Sequence, residues 1–297
     1  MKNDADLGFL ISAWDRSDRR KSLFAPGVDI FQALTTSGAT ASGLGDTRNA
    51  STSRCISETA EILAKEAAQL TGAAFTNFGF AAHSDTASAK HAAHLEAHER
   101  VQIWQWWQGQ RHAKRIPAEW LQTHGFDTWL STHRATASIK RQTGLWLLTP
   151  ASGVLTVICK SKSQMDEDII LGFGAATCVF EAVSKALREN LLMELNLVEV
   201  MATRGGFTKG DTSWIERKIA QYAARCPAIL RQEEASMPAT PKKSFETQLA
   251  ALETTPTSTL QELPMPCPSR SVWKCTLTET RQLPPSGPSS PFMSRST

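Results

Sequence analysis

The sequence predicts an α+β fold, in which a mixed sheet is covered by amphipathic helices and followed by a disordered tail. Segments rich in β-branched residues alternate with segments of helical periodicity. One helical segment has two carboxylates on its apolar side. Ten of the fourteen prolines lie between Pro238 and Pro291, among many serines and threonines, a composition that does not build a packed core. We therefore expect one domain over residues 1–235 and a largely disordered tail over residues 236–297.

Composition excludes several classes of function. The net charge of +3 is small and basic residues are spread along the chain, so we expect no nucleic-acid binding. No stretch approaches the roughly 20 apolar residues of a membrane span, and the first residues are a poor signal peptide. The six cysteines form no CxxC or zinc-ligand pattern, which is typical of reduced thiols. We expect a cytoplasmic protein that does not associate with a membrane.

The elements follow from local patterns. A Gly/Ser/Thr-rich stretch over residues 35–46 predicts a loop, and a helix follows over residues 52–70. An apolar segment over residues 72–82 predicts a strand, which leads to a second helix over residues 86–108. Further strands are predicted over residues 144–148, 154–159 and 169–173, and a third long helix over residues 177–200.

The second helix has an unusual distribution of charge. On a helical wheel, Glu96 and Glu99 lie about 60° apart on the side that carries the apolar residues. Carboxylates on a buried face cost several kcal/mol unless a cation or strong donors meet them. We therefore expect chemistry here. A structural alternative is an ion pair with a buried arginine, for which Arg100 is adjacent.

The same helix has histidines at helical spacing on its opposite side. His91, His94 and His98 could bind a transition metal. The wheel separates them from the two glutamates by about 100°, which argues against shared chemistry. We interpret the three histidines as a solvated stripe.

The other two helices have weaker signals. Glu58 and Glu61 lie opposite the apolar stripe of the first helix, and Glu61 with Lys65 forms an ordinary surface pair. In the third helix, Glu189 lies among alanines, away from a core stripe that begins at Phe180, which suggests room for a bound group. Carboxylates spaced i,i+3 on separate helices can surround two Mg²⁺ ions and a triphosphate. No Walker A motif is present as an alternative phosphate cradle.

The order of these motifs resembles the YcaO-domain family. ExxE in a helix after a Gly/Ser-rich loop is followed by LEAHER before a Trp-rich run, and then by GFGA and EAVSKALRE. The resemblance covers roughly residues 35–200. It implies an ATP site without a P-loop, built from glutamates on separate helices. Glu96 and Glu99 would be central to catalysis, and Arg100 would meet a phosphate. The Mg²⁺ ligands implied by the resemblance are Glu58, Glu61, Glu96, Glu99 and Glu189.

The resemblance also implies a reaction. Members of the family use ATP to activate backbone amides of ribosomally made precursor peptides. In cyclodehydratases, Cys, Ser or Thr side chains become azolines, as in bacteriocin and peptide-antibiotic biosynthesis. A partner that binds the leader peptide is expected, and in many systems a flavin dehydrogenase oxidises the azolines. Thioamide and amidine products remain open.

Several positions depart from the family pattern. Cys55 lies where the first motif usually has Ser, and Met193 where the third usually has Gln, with Glu194 adjacent. The segment between Glu61 and Glu96 is shorter than the family leads us to expect. A Pro-Met-Pro-Cys-Pro sequence begins at residue 264, but twenty-nine residues follow it, so we interpret this match to a terminal PxPxP motif as accidental. These departures favour the alternative of an inactive scaffold or peptide-binding subunit.

Overall fold

The computed structural model describes residues 8–70, 77–148, 153–238, 258–264, 270–278 and 291–292. Its strands are β1 (Trp14–Arg20), β2 (Asp29–Thr35), β3 (Thr40–Gly45), β4 (Phe78–His83), β5 (Ala113–Arg115), β6 (Gln142–Leu148), β7 (Leu155–Lys162), β8 (Ile170–Ala176), β9 (Leu230–Glu234), β10 (Ser258–Glu262) and β11 (Ser271–Leu277). Its helices are α1 (Arg48–Ala67), α2 (Thr86–Trp107), α3 (Ala118–Thr123), α4 (Phe126–Arg134), α5 (Val179–Met193), α6 (Leu195–Arg204) and α7 (Ser213–Ile229).

The strands form three sheets, and a long helix packs on each of them. The strand orders are β1-β2-β3, β10-β11-β4 and β8-β7-β6-β5-β9. Neighbouring strands are antiparallel except for β5 and β9, which are parallel. Helix α1 packs on β3, α2 on β4 and β11, and α5 on β8 and β7. The predicted α+β class is confirmed.

Most predicted elements correspond to observed ones. The first two predicted helices are α1 and α2, and the predicted strands after residue 143 are β6, β7 and β8. The third helix is not continuous, because α5 ends at Met193 and α6 begins at Leu195. The interruption lies at Glu194, whose buried carboxylate binds Arg134 and Arg141.

The loop predicted over residues 35–46 is partly wrong, because it contains strand β3, which pairs with β2. Glycine has a packing role in this strand. A Cβ atom on Gly43 would lie 1.9 Å from the carbonyl oxygen of Ser51 in α1, and one on Gly45 would lie 2.7 Å from the Cβ of Ala50. The glycines therefore mark the close approach of a helix to a strand rather than a loop.

The described part of residues 236–297 contains two strands that the sequence did not predict, and the expectation of a largely disordered tail otherwise stays a prediction. Strands β10 and β11 pair with each other, and β11 also pairs with β4. Val272 and Cys275 of β11 are fully buried. Strand β11 is a short apolar segment within Pro-rich surroundings, and it packs against α2. The domain boundary at residue 235 stays a prediction, and residues 265–269 of the Pro-Met-Pro-Cys-Pro region lie outside the described residues.

Candidate functional site

Three strand–helix units repeat the same local geometry: β3 with α1, β4 with α2, and β8 with α5. In each unit, a glutamate on the helix accepts a hydrogen bond from a backbone N–H of its own strand, sixteen residues earlier. The donor–acceptor pairs are Ser42 with Glu58, Phe80 with Glu96, and Phe173 with Glu189, each at 2.6 Å.

The backbone explains why the glutamates reach the strands. Each helix begins six residues after the donor residue, so the three connecting turns have equal length. Glycines beside the donors let the helices lie almost in contact with the strands. An added Cβ would lie 2.0 Å from Ala93 O at Gly79, and 2.2 Å from Asn190 N at Gly172. Glycine is required at these positions because any side chain would push the helix away.

Each helix also contacts the strand of the next unit, which closes the units into a ring. Helix α1 contacts β4, α2 contacts β8, and α5 contacts β3. At the first junction Glu61 accepts a hydrogen bond from Ala82 N at 3.1 Å, and at the second Glu99 accepts one from the backbone of Ala175. At the third junction, between α5 and β3, the equivalent helix residue is Leu192.

A cavity of about 730 Å³ opens between these units. Its wall includes three of the glutamates and four basic side chains, together with apolar residues from β3, β8 and α5. The charged residues of the wall are Glu96, Glu99, Glu181, Glu189, Arg54, Arg100, Lys185 and Arg188. Glu58 and Glu61 lie close enough to Glu96 to affect one another's charge. The cavity therefore has acidic and basic regions side by side.

The fold opposes the negative charge of most of these glutamates. Burial, followed by the charges of neighbouring carboxylates, raises the pKa of Glu58 to about 7, of Glu61 to about 8 and of Glu99 to about 7. Burial and the charge of Glu99 raise the pKa of Glu189 well above its usual value. A bound cation would remove this penalty.

Glu96 is the exception, because it has a close cationic partner. Burial disfavours its charge, but Arg100 and Lys65 outweigh burial and lower its pKa. Arg100 Nε lies 2.9 Å from Glu96 Oε1, and Nη2 of the same guanidinium lies 2.5 Å from that oxygen. The ion pair between Glu96 and Arg100, which is the structural alternative drawn from the sequence, is therefore present, and both residues line the cavity. Contact of Arg100 with a phosphate stays a prediction.

The donor set fits Mg²⁺ bound together with a polyphosphate. Within the described residues, no group of three or more His, Cys, Asp and Glu side chains is arranged to hold a metal ion by itself. Mg²⁺ is commonly held by one or two carboxylates, with phosphate oxygens and water completing its shell. Carboxylates that line a cavity of this volume beside arginines meet that requirement. The assignment of the five glutamates as metal ligands stays a prediction.

Glu61 and Glu189 lie in surroundings that differ from their sequence interpretation. The ion pair of Glu61 with Lys65 is present at 3.8 Å, but Glu61 also binds the β4 backbone. Ala182 and Ala186 are buried against β8, so the alanines do not provide the room beside Glu189. That room is the cavity that Glu189 itself lines. Phe180, expected in the core, is instead exposed at the cavity.

The interpretation of the histidines as a solvated stripe is wrong. His91, His94 and His98 are buried, and burial lowers the pKa of each to about 4. Strand β11 covers this side of α2, and Cys275 Sγ lies 3.8 Å from Nδ1 of His94. The wheel placed these residues correctly opposite the glutamates, but nothing in the helix itself showed that a distant strand would cover them.

The departures in the third motif have structural explanations. Met193 packs beside the apolar cluster that contains Ile170 and Leu197, whereas Leu192 lines the cavity. Glu194 cannot replace an oxygen ligand there, because it is fully buried and binds Arg134 Nη2 at 2.7 Å and Arg141 Nε at 3.2 Å.

Two groups of cavity residues were not predicted from the sequence. The first group is Arg54, Lys185 and Arg188, for which no role in a site was predicted and which only the ring brings to the cavity. Phe292 of the predicted tail also lines it, with its ring edge-on to Phe173 at 5.5 Å and the Arg100 guanidinium 5.3 Å above it. The repeated strand–helix spacing is the signal that could have found the basic residues.

Comparison with known proteins agrees with this geometry. The structure is similar to a heterocyclase in complex with substrate and cofactor, with a TM-score of 0.67 and 14% identity, over 94% of this chain and 52% of the other. This chain thus spans about half the length of that heterocyclase. It is also similar to YcaO from Methanopyrus kandleri bound with AMPPCP and Mg²⁺, with a TM-score of 0.62 and 16% identity over 94% and 90% of the two chains.

A third similar structure is the E. coli microcin synthetase McbBCD complex with pro-MccB17 bound, with a TM-score of 0.58 and 12% identity over 90% and 88% of the two chains. At these identities the structural likeness shows a shared fold. Comparison with curated protein sequences finds no match. None of the described helices is long and apolar enough to cross a membrane. A family profile described as YcaO cyclodehydratase, ATP- and Mg²⁺-binding, matches residues 42–263, and the chain therefore belongs to the YcaO cyclodehydratase family.

Proposed function

We propose that this chain binds ATP with Mg²⁺ in the cavity and activates backbone amides of a ribosomally made precursor peptide, most simply by cyclodehydration of Cys, Ser or Thr to azolines. One observation carries the proposal. Glu96, Glu99 and Glu189, each fixed by a strand N–H, line a cavity that also contains arginines, and Glu58 and Glu61 lie close enough to interact with the charge of Glu96, with pKa values raised to about 7 and 8. Such an arrangement favours Mg²⁺ and phosphate over water alone.

The glutamates have the role of holding metal and orienting phosphate. Glu96 and Glu99 line the cavity directly, and their hydrogen bonds to β4 and β8 hold the carboxylates in position before any ligand binds. Glu58, Glu61 and Glu189 complete the proposed metal ligands. Bound Mg²⁺ neutralises charge on the transferring phosphoryl group, and phosphoryl transfer depends mainly on such positioning and neutralisation.

The proposed reaction follows from that positioning. The side chain of the peptide attacks the preceding carbonyl carbon, and the carbonyl oxygen accepts the terminal phosphoryl group of ATP. Departure of phosphate with that oxygen, together with loss of the side-chain proton and of the amide N–H proton, leaves an azoline, and ADP is the other product. The proposed setting is cytoplasmic biosynthesis of a bacteriocin or peptide antibiotic. The proposed partners are the precursor peptide, a protein that binds its leader and a flavin dehydrogenase.

An inactive scaffold or peptide-binding subunit is the second candidate. Met193, which lies where the third motif usually has Gln, packs beside an apolar cluster, and this departure favours it. Cys55 also replaces the usual Ser, and it is fully buried rather than facing the cavity. A scaffold of this kind would keep the fold and bind peptide without ATP turnover.

Nucleotide binding and turnover separate the two candidates. We expect Mg²⁺-dependent ATP binding by calorimetry, and ATP hydrolysis stimulated by a precursor peptide encoded beside the gene. Glu96→Gln and Glu99→Gln should each reduce turnover about 100-fold or more, the usual effect of removing a preorganised electrostatic group. Glu199→Gln, an exposed substitution on α6, is the matched control. Unchanged binding and turnover in both cavity variants would contradict the site assignment, and ATP binding without hydrolysis in the wild type would favour the scaffold.

A further inference from the structure

The junction between α5 and β3 differs in charge from the other two junctions of the ring. The α1–β4 and α2–β8 junctions each have a glutamate that accepts a strand N–H. The α5–β3 junction has Leu192 at the equivalent position, beside Leu44 in the cavity wall. Two guanidinium groups line the cavity at this junction, Arg54 from α1 and Arg188 from α5. The ring therefore has two acidic junctions and one basic junction.

The equivalence of the units shows what is unusual about Arg54. Arg54 and Lys185 occupy equivalent positions in α1 and α5, and each donates a hydrogen bond to a carbonyl of its own strand. The charge of Lys185 interacts with Glu99 at the second junction. At the third junction Arg54 lines the cavity together with Leu192, which lies where the repeat would place an acid. The positive charge of Arg54 thus lacks the acid that the repeat would supply.

The two arginines also repel each other. The burial of Arg54 and the charge of Arg188 both act to lower the pKa of Arg54. Asp46 opposes this effect, with its Oδ2 3.2 Å from Arg188 Nη2, but Asp46 is 45% exposed and also lies 3.6 Å from His133 Nε2. Arg188 Nε is buried and has no hydrogen-bond partner among the described residues. The junction therefore has an excess of positive charge and a spare donor.

We infer that Arg54 and Arg188 bind the terminal phosphoryl group of the nucleotide, and that Leu192 keeps this junction free of a competing carboxylate. Arginine presents planar, paired donors that match phosphate oxygens. Glu96 and Glu99 line the same cavity as the two arginines, so one polyanion reaches both the metal-binding and the basic regions. The inference rests on the proposed function, because it assigns a role within the same ATP site.

Calorimetric titration of arginine variants tests the inference. Arg54→Gln and Arg188→Gln should each weaken MgATP binding roughly 10- to 100-fold, as loss of a charge-assisted hydrogen bond would, and weaken MgADP binding much less. Arg217→Gln, on the exposed side of α7, is the matched control and should bind both nucleotides like the wild type. Arg54→Lys and Arg188→Lys keep the positive charge, so each should recover part of the ATP affinity that the corresponding Gln variant loses. Such a recovery shows that the loss in the Gln variant is not caused by misfolding.

Leu192→Glu is a second and opposite test. The new carboxylate would resemble Glu61 and Glu99, and it would compete with phosphate for the two arginines. We expect Leu192→Glu to raise the melting temperature of the free protein while it weakens MgATP binding at least 10-fold, and we expect the exposed substitution Glu199→Gln on α6 to change neither. Undiminished ATP affinity in Leu192→Glu would overturn the inference.

Pyrophosphate titrations distinguish failure of the inference from failure of the proposed function. Equal loss of ATP and ADP affinity in the arginine variants, or loss of peptide affinity alone, would overturn the inference and leave the proposed function standing. If the wild type binds no nucleotide, the proposed function fails. Pyrophosphate binding that depends on Arg54 and Arg188 would then still support a phosphoryl site, and its absence would overturn that site as well.

Discussion

At the scale of single residues, the site contains carboxylates whose ionised form is disfavoured by burial and by neighbouring carboxylates. Glu61 and Glu99 sit beside other glutamates, and a strand N–H holds each in place. Each such N–H favours the ionised form, but burial and like charge outweigh it. The fold therefore retains an electrostatic cost that is useful only if a cation binds.

A single substitution tests whether the missing Gln of the third motif limits the site. Met193 packs beside the apolar cluster of Phe24, Ile170 and Leu197, so Met193→Gln would bring an amide into apolar surroundings. We expect this variant to be destabilised by about 1–2 kcal/mol in chemical denaturation, with no gain in ATP affinity. Tighter ATP binding by Met193→Gln would contradict this expectation and would show that the side chain at position 193 reaches the cavity.

Residue placement was predictable where one helix determined it. The wheel correctly placed Glu96 and Glu99 together, because helical geometry alone fixes their relation. The burial of His94 depends on β11, which lies about 180 residues later in the chain. The wheel contains no information about such a distant element, and so the solvated interpretation failed.

At the scale of elements, the repeated unit is a strand in close contact with the helix that follows it. The contact depends on glycines in β3, β4 and β8, whose missing side chains let helix backbone approach the strand. Periodicity predicted α1 and α2 and joined α5 and α6 into one helix, whereas α3, α4 and α7 were not predicted. The glycines of β3 were interpreted as loop signals, because a glycine that permits close packing has the same local signature as one that permits a turn.

Gly79→Ala tests the contact between β4 and α2. The new Cβ would lie 2.0 Å from Ala93 O and 2.3 Å from Ala97 N, so the helix must move away from the strand. We expect a loss of about 3 kcal/mol in the free energy of unfolding and a loss of ATP binding, because Glu96 would lose its hydrogen bond to Phe80 N.

The control for this substitution is Gly210→Ala. A Cβ on Gly210 would have no heavy atom within 4 Å, so the variant should match the wild type within about 0.5 kcal/mol. Stable folding and normal nucleotide binding of Gly79→Ala would contradict the close contact.

At the scale of the whole molecule, stability depends on pH through two opposing sets of groups. Burial lowers the pKa of His91, His94 and His98 to about 4, below the value of about 6.5 in an unfolded chain. Between these values the unfolded chain binds protons that the folded chain does not. The histidines therefore make stability rise as the pH increases from about 4 to 6.5.

The glutamates act in the opposite direction. The pKa values of Glu58, Glu61 and Glu99 are raised to about 7, 8 and 7, from about 4.5. The folded chain therefore binds more protons than the unfolded chain between about pH 4.5 and 8, and these groups make stability fall as the pH rises through that range. Above about pH 6.5 the histidines no longer change the stability, whereas the glutamates continue to lower it up to about pH 8.

We expect the melting temperature of the metal-free protein to fall between pH 6.5 and 8. Glu61→Gln should reduce this slope, because it removes the group with the pKa of about 8, and Glu199→Gln should leave it unchanged. Mg²⁺ with ATP should raise the melting temperature more at pH 8 than at pH 6.5, since metal binds the ionised carboxylates. A flat or rising profile in the metal-free protein would contradict the raised pKa values.

The closed ring has a consequence for the order in which the chain can assemble. Glu99 accepts its strand hydrogen bond from β8, which follows it by many residues in the sequence. The basic junction forms only when α5 packs against β3, near the start of the domain. During synthesis, a nascent chain that ends after α2 has most of the glutamates but no third wall. Contacts between segments so distant in sequence form late, because loop closure must come first. Nucleotide binding would then indicate that the last strand–helix unit has packed against the first. A nascent chain on the ribosome would bind nucleotide only after β8 and α5 have emerged.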